Sequence, residues 1–220
     1  MPFSNDAELF RAIRQDLYTA VVGDVLDEMG HLHNFLPGRV QPLEPKMVVV
    51  GRARPVVVQD AAATPGDPFG KLLEALDSLQ PGEVYITNGG ATPYALWGEL
   101  LSMRAAHLGA AGAVMNGYTR DSKAILELGF PTFCRGSYAL DVRFRGKVTD
   151  YGVPTVVGEI PVAPGDIVFG DRDGVLIVPE RLSAEVFERA LDKVHSEDTV
   201  RDAFRSGMSA VDAFTRFGVM

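Results

Sequence analysis

Short apolar runs alternate with segments of helical period along this chain, and that alternation restricts it to the α/β class. Residues 84–87 and 113–116 read as buried strands, and the steps Asn88-Gly89 and Asn116-Gly117 end them. Another strand begins at Pro131-Thr132. Between and around them the apolar spacing predicts helices over 69–79, with Leu72, Leu73, Leu76 and Leu79 inward, over 94–108, and over about 120–128 up to Gly129. Two helices come first. One over 4–15 is capped by Ser4 or Asn5 and carries Leu9, Phe10 and Ile13. The next follows Thr19, carries Val21, Val25 and Met29, and ends at Gly30.

A loop over 31–45 leads to a β-rich stretch at 47–58, and residues 142–148 and 153–157 are β-rich again. Pro164-Gly165-Asp166 turns into a strand at 167–170, and Asp173-Gly174 is a hairpin signal before 175–178. A long amphipathic helix from Ser183 to about Arg205 and a short one over 209–217 follow. The expected organisation is a single α/β domain over 1–182 with a C-terminal helical arm over 183–220.

Charge narrows the partners. The 220 residues hold 29 acids against 21 bases, a formal net charge of −8. A broad basic face for nucleic acid or for an anionic membrane is therefore not expected. A small anionic substrate needs only local positive charge. No apolar stretch approaches the ~20 residues that span a bilayer, and the first six residues lack the basic and apolar regions of a signal peptide. A cytoplasmic protein is the expectation. The single cysteine, Cys134, sits in Pro131-Thr132-Phe133-Cys134 and reads as a buried filler.

The common catalytic motifs are absent. The sequence holds no phosphate-binding P-loop, no dinucleotide-binding Gly-rich turn, no nucleophile elbow and no zincin helix. His31 and His33 share a loop without a carboxylate partner nearby, and His107 and His195 lie on helices. The strongest constellation runs from Asn88 to Asp121. It comprises Asn88-Gly89-Gly90-Ala91-Thr92-Pro93, then Trp97-Gly98-Glu99-Leu100-Leu101, then Asn116-Gly117-Tyr118-Thr119-Arg120-Asp121. Its first and third parts directly follow buried strands, and the carboxyl ends of strands are where α/β sheets bind ligands. Arg120-Asp121 opens a helix whose dipole favours an anion. The same residues also read as a turn and a helix cap.

The segments Gly98-Glu99-Leu100-Leu101, Gly109-Ala110-Ala111-Gly112-Ala113-Val114, Asn116-Gly117-Tyr118-Thr119-Arg120-Asp121, Pro164-Gly165-Asp166 and Asp171-Arg172-Asp173-Gly174-Val175-Leu176-Ile177-Val178-Pro179 together resemble the RraA-like family. The resemblance extends from Thr19 to the final residues. That family includes the class II 4-hydroxy-4-methyl-2-oxoglutarate and 4-carboxy-4-hydroxy-2-oxoadipate aldolases. It also includes proteins once labelled demethylmenaquinone methyltransferases, and the regulator of ribonuclease activity A. The aldolase signature is an acid, twenty intervening residues and then Arg-Asp, and Glu99 with Arg120-Asp121 fits that spacing. Glu99 stands where the aldolases usually have Asp, and Asn116 where many members have Asp.

The resemblance implies a swivelling β/β/α-type domain, assembled as a homotrimer or homohexamer with active sites between subunits. It implies a divalent-metal lyase acting on a 2-oxo (4-hydroxy) dicarboxylic acid as aldolase, oxaloacetate decarboxylase, or both. Asp121 would anchor Mg²⁺ or Mn²⁺, largely through ordered waters. Arg120 would face the 2-oxo oxygen. The backbone N–H groups of Leu100 and Leu101, beside Gly98, would hold the substrate carboxylate. Glu99 would hold a metal-bound water or help move a proton. A glutamate from a neighbouring C-terminal arm would complete the site, and Glu197, with Asp198 beside it, is the candidate. The residue types suit a pyruvate enolate, whose charge falls on the former keto oxygen, where a metal and a guanidinium stabilise it. The alternative is a non-catalytic protein that binds and inhibits a ribonuclease. As that regulator branch is known, it lacks the Arg-Asp pair that Arg120-Asp121 keeps here. The methyltransferase label finds no Gly-rich cofactor loop in this sequence.

Overall fold

The computed structural model describes residues 5–62 and 66–218. Its strands are β1 (Gln41–Pro42), β2 (Val49–Asp60), β3 (Glu83–Thr87), β4 (Ala95–Trp97), β5 (Gly112–Met115) and β6 (Tyr118–Thr119). They continue with β7 (Thr132–Cys134), β8 (Gly146–Tyr151), β9 (Thr155–Val157), β10 (Ile160–Val162), β11 (Ile167–Asp171) and β12 (Gly174–Val178). The helices are α1 (Asp6–Asp16), α2 (Thr19–Glu28), α3 (Leu72–Asp77), α4 (Glu99–His107), α5 (Ser122–Leu128), α6 (Ser183–Arg205) and α7 (Ala210–Phe217).

The valine-rich β2 is the trunk of an eight-stranded sheet ordered β1-β7-β5-β3-β2-β11-β12, with β8 also paired to β2. The run β2, β3, β5, β7 is parallel, and β1, β8, β11 and β12 join antiparallel. The segment read from sequence as a plain loop over 31–45 nearly closes this sheet into a barrel. Leu36 N–H donates to the Val175 carbonyl at 2.8 Å and Ile177 N–H to that of Asn34 at 2.9 Å, while β1 pairs with β7.

Side-chain alternation divides the core. Val84 and Ile86, Val114, Phe133, Val168, Val175 and Ile177 point into the barrel. From the same strands Tyr85, Ala113, Met115 and Cys134 point outward, under Leu72, Ala75 and Leu76 of α3, Ala105 of α4 and Ile125 of α5. Ile167, Phe169, Leu176 and Val178 point outward on another side, under α1, α2 and the first half of α6. Cys134 is buried, and that burial pushes its thiol above the ordinary value, as suits an inert filler.

Local chemistry sets the helix ends. Asn5 accepts the Glu8 N–H at 3.0 Å and caps α1; the other cap candidate, Ser4, lies outside the described residues. Asp171, from the predicted hairpin, accepts both the N–H and the hydroxyl of Thr19 at 2.7 Å and so caps α2 from a distance. Gly30 ends α2 at φ +84°, with Gly30 N–H bonded to Asp27 and His31 N–H to Leu26.

Some elements differ from expectation, and the differences concentrate around the site. The helix expected over 94–108 starts only at Glu99, because Ala95-Leu96-Trp97 is spent on a buried strand and Gly98 is extended. The helix expected over 69–79 spans only Leu72–Asp77, and Leu73 is 58% exposed, one position off the inward face. The helix expected from Arg120 begins at Ser122. The stretch 142–148 opens as a 3₁₀ turn, Val142–Phe144, before β8. Val186, Phe187 and Ala190 bury the first half of α6 in the body of the domain, while Phe204, Val211 and Phe214 farther on are exposed. Among the described residues no helix is long and apolar enough to cross a membrane.

Candidate active site

The chain leaves β5 through Asn116-Gly117 and runs as β6 alongside β4, in parallel. Arg120 N–H donates to the Trp97 carbonyl at 3.0 Å, and the Thr119 hydroxyl donates to the same oxygen at 3.2 Å. Trp97 Nε1 donates to Ser102 Oγ at 2.6 Å, and Ser102 Oγ donates to the Gly98 carbonyl at 3.0 Å. These bonds fix the start of α4 against the start of α5.

Asp121 then adopts a left-handed backbone, φ +56° and ψ +32°, the only non-glycine with positive φ among the described residues. It occupies the cap position of α5, yet its carboxylate makes no capping bond there. Oδ2 instead turns to α4 and accepts the Glu99 N–H at 3.4 Å. Gly98 makes room for it, since a Cβ on Gly98 would sit 2.7 Å from Asp121 Oδ2. The simple cap reading of Asp121 is therefore not what its side chain does. The first bond of α4 runs from Ser102 N–H to the Gly98 carbonyl, so the Leu100 and Leu101 amides precede the helical ladder and are available to an anion.

Arg120 reaches across the same space. Its Nη1 donates to Asp141 Oδ2 at 2.8 Å, and its Nε lies 3.6 Å from Asp121 Oδ2. Asp141 was not singled out by the sequence reading. Its Oδ1 accepts the Arg143 N–H at 2.9 Å and caps the 3₁₀ turn, so the only signal was an Asp ahead of a short helical turn. Arg120, Asp121 and Asp141 form the polar side of a cavity of about 230 Å³. Phe69, Leu72, Leu73, Leu101 and Val142 form its apolar side, with Gly98 and Leu100 also at its wall.

The structure thus gathers Gly98, Leu100, Leu101, Arg120 and Asp121, with the backbone of Glu99. Glu99 is half-buried, and it meets Asp121 through its backbone N–H rather than its carboxylate. Glu197 is not brought to this site within one chain. Its carboxylate accepts the Tyr18 hydroxyl and lies 3.3 Å from Arg201, on the opposite helical layer. Burial and that bond hold the Tyr18 hydroxyl above its usual range. Asp198 pairs with Arg201 as well. In the Gly-rich loop Asn88 is structural: its amide accepts the Val58 N–H at 2.8 Å and donates to the Val58 carbonyl at 3.1 Å.

Among the described residues no three His, Cys, Asp or Glu converge as a ready metal cage. That donor set still fits a magnesium-type ion, which keeps several waters and takes one or two carboxylates. Asp121 offers an exposed carboxylate whose contacts fall on Oδ2.

Residues 19–177 match the family profile RraA-like, described as Aldolase/RraA. A protein of Halalkalibacterium halodurans, named as a candidate 4-hydroxy-4-methyl-2-oxoglutarate aldolase, is 31% identical over 197 residues, 89% of each chain. Among solved structures, an uncharacterised protein from Pseudomonas syringae superposes with a TM-score of 0.86 at 26% identity over 98% of both chains. Streptomyces coelicolor RraAS2, described as an unusual member of the RNase ES inhibitor RraA protein family, superposes with a TM-score of 0.80 at 28% identity, over 89% of this chain and 98% of that one.

Proposed function

Because this chain belongs to the RraA-like family, we propose that it is a divalent-metal-dependent lyase that cleaves a C–C bond of a 2-oxo acid through a pyruvate enolate. The substrates that the family brings are 4-hydroxy-2-oxo dicarboxylic acids and oxaloacetate. One observation carries the reading: Arg120 and Asp121 face one cavity, with the Asp121 carboxylate held at the first turn of α4.

A bound Mg²⁺ or Mn²⁺ would act as Lewis acid toward the 2-oxo oxygen, held by Asp121 and, with its waters, by Glu99. The chain's own groups do the rest. The Leu100 and Leu101 amides bind the C1 carboxylate at a helix N-terminus. The Arg120 guanidinium donates to the 2-oxo oxygen, where charge grows. In the aldol cleavage a base takes the C4 hydroxyl proton, the C3–C4 bond breaks, and its electron pair forms the enolate. Glu99 is our candidate for that proton. Protonation at C3 then gives pyruvate, and the carbonyl fragment leaves. With oxaloacetate, CO₂ leaves in its place.

As the family resemblance implies, the site would be completed between subunits of a homotrimer or homohexamer; the exposed Leu100 on the cavity wall is consistent with such a seam. Glu197 and Asp198 of a neighbouring arm are the candidates to close it. Purified protein with Mg²⁺ and either oxaloacetate or 4-hydroxy-4-methyl-2-oxoglutarate, coupled to lactate dehydrogenase, tests the reading. Pyruvate release from either supports it, and release from neither counts against it. The likeness to RraAS2 supports a second reading, ribonuclease binding. Tight capture and inhibition of ribonuclease E without pyruvate release would favour that one.

A further inference from the structure

Asn116 and Arg135 directly follow the adjacent parallel strands β5 and β7, at the end of an α/β sheet where ligands bind. Neither lies on the wall of the Arg120–Asp121 cavity. Asn116 is only 4% exposed. Its Oδ1 accepts Arg135 Nε at 2.9 Å, while Arg135 N–H donates to the Gly117 carbonyl at 2.7 Å. That side-chain partner is a neutral amide, so the Arg135 charge is not offset. The two Nη groups of Arg135 bond to nothing among the described residues. Arg39 is brought close by the pairing of β1 with β7, where Gln41 faces Cys134, and it too forms no ion pair among the described residues. Burial first, and then the Arg39 charge, hold the Arg135 guanidinium below its ordinary range, with Tyr118 opposing. Two neighbouring cations without a carboxylate partner, in a chain of net charge −8, repel each other, and a bound anion would offset that. Asn116 Nδ2 has no acceptor among the described residues, and a Cβ on Gly158 would sit 3.9 Å from it. Gly158 and Arg39 both line a hollow of about 560 Å³, where the one carboxylate is the exposed Glu159, which forms no ion pair among the described residues.

We propose that Asn116, Arg135 and Arg39 form a second site, which binds a small oxyanion, a phosphate or a carboxylate. The two Nη groups of Arg135 supply charged donors for its oxygens, Asn116 Nδ2 supplies a neutral one, and Arg39 adds its charge from the β1 side. Buried Asn116 is what separates this place from a pair of surface arginines. Its bond to Arg135 fixes the amide, and the donor on the other side of that amide is left without a partner. The site does not rest on the lyase reading and stands whichever reaction the Arg120–Asp121 cavity performs.

The test is a titration of the full chain, without added metal, with inorganic phosphate and with succinate, at an ionic strength held constant with chloride. Calorimetry and the melting temperature read the binding. The parent should bind at least one of the two saturably and melt higher than in matched chloride. The tighter of the two identifies the source of the anion, and either supports the site. Asn116→Asp keeps the shape, turns the neutral partner of Arg135 into a carboxylate and removes the Nδ2 donor. It should fold, as read by circular dichroism, and weaken binding by about tenfold or more, the scale of one hydrogen bond to a charged group. Arg135→Gln should weaken it at least as much, and Arg120→Gln should leave it unchanged. No saturable binding beyond matched chloride overturns the inference. So does the parent's affinity in Asn116→Asp or in Arg135→Gln. Binding lost in Arg120→Gln alone would put the anion in the other cavity and overturns it too. If the parent binds neither anion and Arg39→Gln or Arg135→Gln changes the oligomer mass in sedimentation, the arginines meet a neighbouring copy and the inference fails. Pyruvate release enters none of these outcomes, so the lyase reading stands or falls separately.

Discussion

Asp121 accepts the Glu99 backbone N–H at 3.4 Å, so the carboxylate that opens one helix serves the first turn of another. The contact joins the two halves of the Glu99…Arg120-Asp121 spacing. It depends on a backbone without a side chain at Gly98 and on a left-handed Asp121.

Gly98→Ala tests the first condition. The added methyl would meet Asp121 Oδ2 at 2.7 Å, while the extended φ of −166° suits any residue. The cost therefore falls on the carboxylate rather than on the fold. Circular dichroism should be unchanged, and pyruvate release should drop by about tenfold or more, since small misplacements at a reacting centre are expensive.

Asp121→Gly tests the second. A left-handed non-glycine costs roughly 1 kcal/mol, and glycine removes that cost. Urea unfolding should show the variant as stable as the parent or up to about 1 kcal/mol more so, with activity lost. A large loss of stability would mean that the Asp121 side chain holds the fold instead.

Asp141→Asn keeps the shape beside Arg120 and removes the charge that aims it. Both partners of this ion pair are about one-third to two-fifths exposed, so stability should change by no more than ~1 kcal/mol. Turnover should fall by about ten- to a hundredfold. A variant with the parent's rate would show that Arg120 needs no such support.

Asp60 gives a pH signature. The Tyr94 hydroxyl bonded to it at 2.7 Å holds its carboxyl below the usual range, assisted by Thr92 and opposed by partial desolvation. A depressed native value stabilises the fold above the unfolded value of ~3.9 and loses that contribution as pH falls through the native one. Asp60→Asn should lower stability at pH 7 and flatten the acid limb below about pH 4. Parallel acid-unfolding curves for the two proteins would contradict this.

Much of the fold was legible in local signals. The α/β alternation, the stop at Gly30, the hairpin at Asp173-Gly174 and the helix Ser183–Arg205 all stand in the structure. What the sequence hid depended on long-range pairing. Ala95-Leu96-Trp97 reads as helix in sequence, and it is extended because it pairs with the distant segments Tyr118–Thr119 and Leu140-Asp141. Leu36 and Gln41 close the sheet by backbone bonds that no side-chain pattern announces. At the proposed site, the structure puts Gly98, Leu100, Leu101, Arg120 and Asp121 on the wall of one cavity, and they were singled out through the family resemblance. Asp141 was not, because it lies twenty residues beyond Asp121 in sequence and meets Arg120 only through folding.

The most direct measurement is the initial rate of pyruvate release from 4-hydroxy-4-methyl-2-oxoglutarate and from oxaloacetate across a Mg²⁺ titration, for the parent and Asp121→Asn. Release should saturate with Mg²⁺, vanish in EDTA and return with added metal. The variant should be slower by about 10²-fold or more, the scale of losing one charge-stabilising group at a reacting centre. Equal rates in EDTA, equal rates in the variant, or no pyruvate from either substrate would contradict a metal-dependent lyase centred on Asp121.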